Sequence, residues 1–400
     1  MRNGQSAFRF FGLIGFAMAY ALAAGLARYA GLSLWIVTAL AVSGAVAFLA
    51  LAMVTKIVTG AESLTYYHHQ TAVLLMAALV LSGLRAPLLP YLDIAVLGIG
   101  VFLVFGRIGC LKVGCCHGLP CPRGVRYPRH YLDSGFPGHL VEVALVPVQA
   151  VESLGVLGIV CLGTLQVITR RPPGSALSSY LVAYAFLRFL LEFFRGGTDR
   201  RFLWGFSEAQ WTSLAIVCAT VGLETHGELP FEMWHRFAVV AMALVTIALQ
   251  FHPLLRFTRG LIDPFHIEEL AQALELASDL AAEQRQGVSQ TIHLAVTKMG
   301  VQISGGCLGE GGTPVRHYTL SRAGGAMSER TARLLAVLVS QLTRSPYPVK
   351  ILPGRSGVYH LVFPMIEGPM SGALSRAHRY SSFPEVSGPG ALNRPGDSAV

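Results

Sequence analysis

The sequence predicts an all-α polytopic membrane protein with 7–8 transmembrane helices, followed by a small soluble α+β domain at the C-terminal end. Three observations lead there. Over 400 residues, 53% are hydrophobic and only 13% are charged, too little polar surface for one soluble globule of that size. Apolar runs recur at roughly 8–27, 32–54, 71–89, 94–105, 148–168, 176–194, 211–223 and 234–251. After Pro253 the composition turns mixed and polar.

Each run approaches the ~20 residues that a helix needs to cross ~30 Å of hydrocarbon. The runs are continuous, without the period-two alternation of a lipid-facing barrel strand, so helices must satisfy the backbone. The first run follows Arg2 and Arg9 and shows no small-residue cleavage site before Arg28, so it is read as a span. Arg170-Arg171-Pro172-Pro173 reads as a cytoplasmic turn joining two spans. Between Phe105 and Pro147 the chain is rich in Gly, Pro, Cys, His and Arg, which predicts irregular backbone beside protein or water and marks where a site belongs.

The expected divisions are a transmembrane unit at 1–255, a small soluble domain at 256–365 and a disordered tail at 366–400. Within the soluble part, 266–286 reads as an amphipathic helix through Ile267, Leu270, Leu274 and Ala277. Strands are expected at 289–299 and 358–365, with a helix over 328–342 between them, and no catalytic motif stands out.

A formal charge of +9, carried mostly by arginines near span ends, fits anionic lipid headgroups, and no nucleic-acid motif appears. Seven cysteines are an odd number in a chain that is no small secreted scaffold. For Cys110, Cys115, Cys116 and Cys121, packing thiols are favoured over a disulfide and a disulfide over zinc, because the spacing is uncommon for zinc and adjacent cysteines are awkward on one ion. Neither a metal nor a cofactor is expected.

Chemistry concentrates in three places. In the sixth run Tyr184, Arg188, Glu192 and Arg195 follow one another at helical spacing, so Arg188 and Glu192 share a face inside an apolar helix. A charge at mid-bilayer costs ~2.5–3.5 kcal/mol on insertion scales, so such a pair faces a partner or a wet cavity, or locks two helices. Around Gly106-Arg107-Ile108-Gly109-Cys110, glycines permit close approach and Arg107 offers a planar fork of donors suited to phosphate. Tyr66-Tyr67-His68-His69-Gln70 opens the third span, and imidazole is the side chain best placed to take a proton near neutral pH.

In this order the pieces resemble the prolipoprotein diacylglyceryl transferase family over about residues 8–224. Gly106-Arg107-Ile108-Gly109-Cys110, followed by Gly118, is similar to the family's Gly-Arg-(Ile/Leu)-Gly-Asn signature, with cysteine in place of asparagine. Tyr67-His68-His69 resembles its Phe-His-Gly-Gly segment, and Asp93 falls where the family carries an aspartate. Pro147-Val-Gln149-Ala-Val-Glu152 resembles Pro-Ser-Gln-Leu-Tyr-Glu. The block Arg188-Phe-Leu-Leu-Glu192-Phe-Phe-Arg195 and the stretch Ser207-Glu-Ala-Gln210 resemble its last two motifs.

The resemblance implies a multi-pass enzyme of the bacterial inner (plasma) membrane that moves diacylglyceryl from phosphatidylglycerol to the lipobox cysteine of a prolipoprotein signal peptide. On that basis His68, His69, Tyr184, Arg188 and Glu192 are the expected catalytic residues. Arg107, Gly109, Cys110, Gly118, Glu152 and Arg195 are expected to bind substrate. The other readings are a non-enzymatic lipid- or metal-responsive membrane protein on the same scaffold and, last, a transporter, for which no internal repeat is found.

Overall fold

The protein, a computed structural model, is described for residues 2–60, 65–198, 200–285, 294–308, 315–345, 347–355 and 357–364. Eight long helices come first: α1 (Arg2–Tyr29), α2 (Leu34–Thr59), α3 (Tyr66–Gly83), α4 (Leu88–Val113), α5 (Val148–Ile168), α6 (Ser175–Leu191), α7 (Glu208–Thr225) and α8 (Met233–Phe251). Six of these, all but α3 and α7, are long and apolar enough to cross a membrane. The remaining two carry Tyr, His and Gln, or Glu, Gln and Thr, in their first turns and pack beside the others. Short connections make α1 to α4, α5 and α6, and α7 and α8 antiparallel neighbours. Across the longer connections α4 and α5 pair Val104 with Ser153 and Leu97 with Gly163, while α6 and α7 pair Phe189 with Gln210, so these too run antiparallel. The C-terminal ends of α4 and α6 therefore lie level with the N-terminal ends of α3, α5 and α7 at one face of the bundle, and the Arg170-Arg171 turn lies at the other.

Capping explains several helix ends. At the start of α6 the Asp93 carboxylate, buried on α4, accepts 2.7 Å hydrogen bonds from the backbone N–H groups of Gly174 and Leu177. This aspartate thus anchors one helix to another at the face away from Arg188. Ser207 and Gln210 form a reciprocal capping box on α7, so the serine-glutamine motif organises a helix start rather than a chemical centre. Gly114 ends α4 in the left-handed conformation (φ 83°), its N–H donating to the Cys110 carbonyl.

The stretch expected to be irregular from Phe105 is helical as far as Val113. Its glycines do not break the helix because Gly109 seats against Phe8 and Phe11 of α1. Beyond Gly114 the chain is irregular, with β1 (Pro120–Val125) and two 3-10 turns at Arg129–Ser134 and Gly138–Leu140.

Before α7 the chain forms a two-strand hairpin of β2 (Phe202–Leu203) and β3 (Phe206–Ser207). After α8 come α9 (Pro253–Leu261), α10 (Pro264–Arg285), β4 (Ala295–Val296), β5 (Val301–Leu308), β6 (Val315–Arg322), α11 (Glu329–Leu342), β7 (Lys350–Pro353) and β8 (Tyr359–Pro364). The strands form an antiparallel sheet in the order β4-β5-β6-β8-β7. Ile267, Leu270, Leu274 and Ala277 of α10 are buried, as their spacing predicts, with Ile303, Leu320 and Leu361 from alternate strand positions in the same core. Strands β5, β6 and β7 go beyond the two expected, because Gly305-Gly306 and the polar outer face mask the alternation. The expected strand at 289–299 is seen at Ala295–Val296; 289–293 and the tail at 366–400 lie outside the described residues.

This C-terminal part does not close its core alone. Leu119, Tyr127, Phe136, Leu140, Val143 and Leu145 of the α4–α5 connection belong to the same buried cluster. The Arg344 Nε donates to the Val141 carbonyl at 2.8 Å. His139 lies in this junction, where burial and then the neighbouring His117 and Arg344 push its pKa from 6.5 down to about 4. A histidine held neutral in the fold is charged first in the unfolded state, so stability falls as pH drops below 6.5 and levels out near 4. Thermal unfolding of the purified protein should therefore show a lower Tm at pH 5 than at pH 7, and His139→Gln should flatten that dependence.

Candidate functional site

Three antiparallel helices set the site. Arg107 stands about 9 Å before the end of α4 and Arg188 in the last turn of α6, where the helix dipole favours cations, while Glu152 is in the second turn of α5, where it favours anions. The charged residues thus gather near one face of the bundle rather than at mid-bilayer. There Glu152, 1% exposed, lies 2.9 Å from the Arg107 Nε and 3.6 Å from the Arg188 Nη1. Tyr184 donates from its hydroxyl to the other Glu152 oxygen at 2.9 Å.

The network continues through Glu192. Its Oε2 is 2.9 Å from the Arg188 Nη2 and 3.6 Å from an Arg195 nitrogen, and its Oε1 accepts from Arg200 at 2.6 Å. Four guanidiniums thus share two carboxylates, leaving a surplus of buried positive charge. The hydrogen bonding is incomplete, for the Arg188 Nη1, the Arg107 Nε and the Glu192 Oε2 make no well-aligned hydrogen bond among the described residues. Unsatisfied buried donors of this kind suit an anion with several acceptor oxygens.

Beside this network a cavity of about 690 Å³ opens between α1, α2, α3 and α4. Its walls are apolar, from Leu13, Val37, Leu40, Phe48 and Phe102 among others, and its polar end carries Arg107, Cys110, His69 and Gln70. His69 is buried, with Nδ1 3.0 Å from the Thr65 carbonyl. A carbonyl only accepts, so Nδ1 carries the proton and Nε2 presents its lone pair, which has no hydrogen-bond partner among the described residues. The Gln70 Oε1 is likewise buried with no partner among the described residues. His68 points elsewhere, lying half-exposed 2.9 Å from Glu208 at the start of α7.

The α4–α5 connection packs at this same end of the bundle. Cys115 and Cys116 follow Gly114, and Cys116 takes a left-handed backbone (φ 54°). The Sγ atoms of Cys110, Cys115 and Cys116 lie within 4.8 Å of one another, which the spacing alone did not suggest. Aromatic rings of Tyr127, Tyr131 and Phe136 pack over Gly114, and Gln149 donates to the Cys115 carbonyl at 2.7 Å. Gly118 bridges Arg195; a Cβ there would stand 2.3 Å from the Val146 carbonyl, so its role is close backbone approach.

Arg107, Cys110, Glu152, Tyr184, Arg188, Glu192, Arg195 and His69 therefore meet at one end of the bundle. Gly109 serves packing against α1, and His68 is apart. Arg200, Gln149 and Gln70 were not singled out beforehand. Arg200 follows Gly196-Gly197 outside the apolar runs, where nothing distinguishes it from an ordinary loop arginine, whereas Gln70 and Gln149 stood within quoted motifs.

A multi-pass membrane protein with a buried arginine-glutamate network at the polar end of an apolar cavity is the class so defined. Residues 6–225, more than half of the chain, match the family described as prolipoprotein diacylglyceryl transferase, and the chain belongs to that family. It is similar to proteins of Dehalococcoides mccartyi strains named phosphatidylglycerol–prolipoprotein diacylglyceryl transferase. One is 32% identical over 130 residues, covering 32% of this chain and 48% of the relative. Another is 33% identical over 132 residues, 33% of this chain and 49% of the relative. The chain thus spans about half the length of these curated relatives.

Removing Glu152 takes from Arg107 the carboxylate it pairs with and leaves Arg188 sharing Glu192 with Arg195 and Arg200. Loss of one partner from a buried ion pair costs about 3–5 kcal/mol. Glu152→Ala should lower the Tm in detergent by several degrees more than Glu208→Ala, whose partner His68 is half-exposed.

Proposed function

We propose that this chain transfers the diacylglyceryl group of phosphatidylglycerol to the lipobox cysteine of a prolipoprotein, in the bacterial plasma membrane. The observation that carries this is the buried arginine surplus at the polar end of an apolar cavity, which matches a lipid with a phosphodiester headgroup. Family membership supports the reaction, and the names of the similar proteins support the substrates.

In this mechanism the acyl chains occupy the cavity between α1 and α4, and the phosphate sits against Arg107 and Arg188. Glu152 and Glu192 hold those guanidiniums in place, and Tyr184 fixes Glu152. The His69 Nε2 takes the proton from the acceptor thiol, whose free pKa is ~8.5. The resulting thiolate attacks the glyceryl carbon next to the phosphate, so an S–C bond forms as the C–O bond breaks. Its electron pair leaves on the phosphate oxygen of glycerol phosphate, where the arginines stabilise the charge that develops.

Transfer of labelled diacylglyceryl from phosphatidylglycerol vesicles to a lipobox peptide tests this with purified protein. Arg188→Ala should abolish transfer. Arg107→Lys keeps the charge but loses the fork and should cost at least tenfold; full activity in it would remove the forked grip on phosphate. His69→Ala should lose transfer while His68→Ala keeps it; the reverse would relocate the base to the Glu208 pair. No transfer by the intact protein would favour a lipid-responsive role for the same cavity.

A further inference from the structure

The cluster of Cys110, Cys115 and Cys116 is not used by the mechanism above, and its geometry is more specific than packing requires. Three thiols from one helix end and the turn behind it converge, with every pair of sulfurs within 4.8 Å. Tetrahedral zinc with thiolate ligands at ~2.3 Å needs sulfurs ~3.8 Å apart, within reach of small side-chain rotations. The objection that adjacent cysteines fit one ion poorly is met by the left-handed backbone at Cys116, which follows the left-handed Gly114. A disulfide would join two of these sulfurs and leave the third without a role.

We infer that Cys110, Cys115 and Cys116 form a three-thiolate site for a thiophilic divalent cation of the zinc class, whose fourth position receives the thiol of the acceptor peptide. Three protein ligands with one open position is the arrangement of a catalytic rather than a structural zinc site. A divalent ion with three thiolates carries a net negative charge, and Arg107 and Arg195 stand close enough to offset it. The position of the cluster suits an acceptor arriving from water. Cys115 is exposed, Cys116 is partly buried, and Cys110 lines the apolar cavity, so the ion spans the path from solvent to lipid. The loop is held by the Gln149 bond to Cys115 and by the ring stack over Gly114, which fixes the donors before an ion arrives.

This inference rests on the transferase reading for its chemistry. Coordination displaces the acceptor S–H proton, which passes to His69 or to water, because a metal-bound thiol is deprotonated outright. The metal-held thiolate then forms the S–C bond as the C–O bond to phosphate breaks, and the thioether product, a weak ligand, leaves the ion. No electron is gained or lost by the metal.

The test uses full-length protein in detergent, purified with a thiol reductant, stripped with a chelator and titrated with Zn²⁺ or Co²⁺. The expected result is one equivalent of Zn²⁺ per chain and, with Co²⁺, a sulfur-to-metal charge-transfer band. Cys110→Ser, Cys115→Ser and Cys116→Ser should each lose the band, Cys115→Ser being the exposed change least able to disturb folding, and Cys161→Ser on the outer face of α5 should keep it. A lipobox peptide should shift the band, and the same peptide with serine for its cysteine should not.

Failure to bind a stoichiometric ion, an unchanged band in the triple serine variant, or a disulfide among these three cysteines in freshly isolated protein would each overturn the site. Undiminished transfer by the metal-free protein overturns the metal's role and leaves the transferase intact. A bound ion and shifted band without transfer by any preparation would instead remove the transferase reading, so the two fail separately.

Discussion

Everything at the polar end of this bundle depends on one carboxylate. Glu152 is buried in an apolar helix, and such a charge is tolerated only because Arg107 and Arg188 both meet its Oε2 and Tyr184 donates to its Oε1. The antiparallel order of α4, α5 and α6 makes this possible by bringing two helix C-termini beside one N-terminus. A parallel arrangement would have placed cations and anion at opposite faces. The second carboxylate, Glu192, extends the network to Arg195 and Arg200, and this fixes the turn that leaves α6 against the cysteine loop.

The surplus of arginine has an energetic meaning. A balanced buried network would be an inert structural lock, whereas four guanidiniums on two carboxylates leave positive charge in excess at this end of the bundle. In the proposed reaction an anionic headgroup would complete the balance while the acyl chains lie in the apolar cavity.

Much of this was legible in the sequence, for identifiable reasons. Bilayer-length apolar runs announce helices through length alone, and Arg188 and Glu192 declare a shared face by their spacing of four. What could not be read was pairing between elements. That Arg107 and Arg188 both seek Glu152, that Asp93 caps a distant helix, and that His69 rather than His68 faces the cavity all depend on helix rotation, which adjacent residues in an aromatic-rich turn do not encode. Nor does the sequence around Arg259 announce that its guanidinium lies over the Phe206 ring and donates to the Gly205 carbonyl. Of the four cysteines weighed for packing, a disulfide or zinc, three converge, and that convergence is a property of backbone angle, not of spacing.

The shared core of the α4–α5 connection and the C-terminal part carries a consequence for biogenesis. Leu119, Tyr127 and Phe136 leave the ribosome more than a hundred residues ahead of Leu261, Leu270 and Leu335, the groups they are buried with. At ~5–20 residues per second that interval lasts on the order of ten seconds. During it the helices can insert and Arg107 can find Glu152, but the connection that holds Cys115 and Cys116 stays open. Its order of completion is from the membrane outward, and truncation that removes the core residues between Leu261 and Phe363 would leave an inserted bundle with an unfinished mouth.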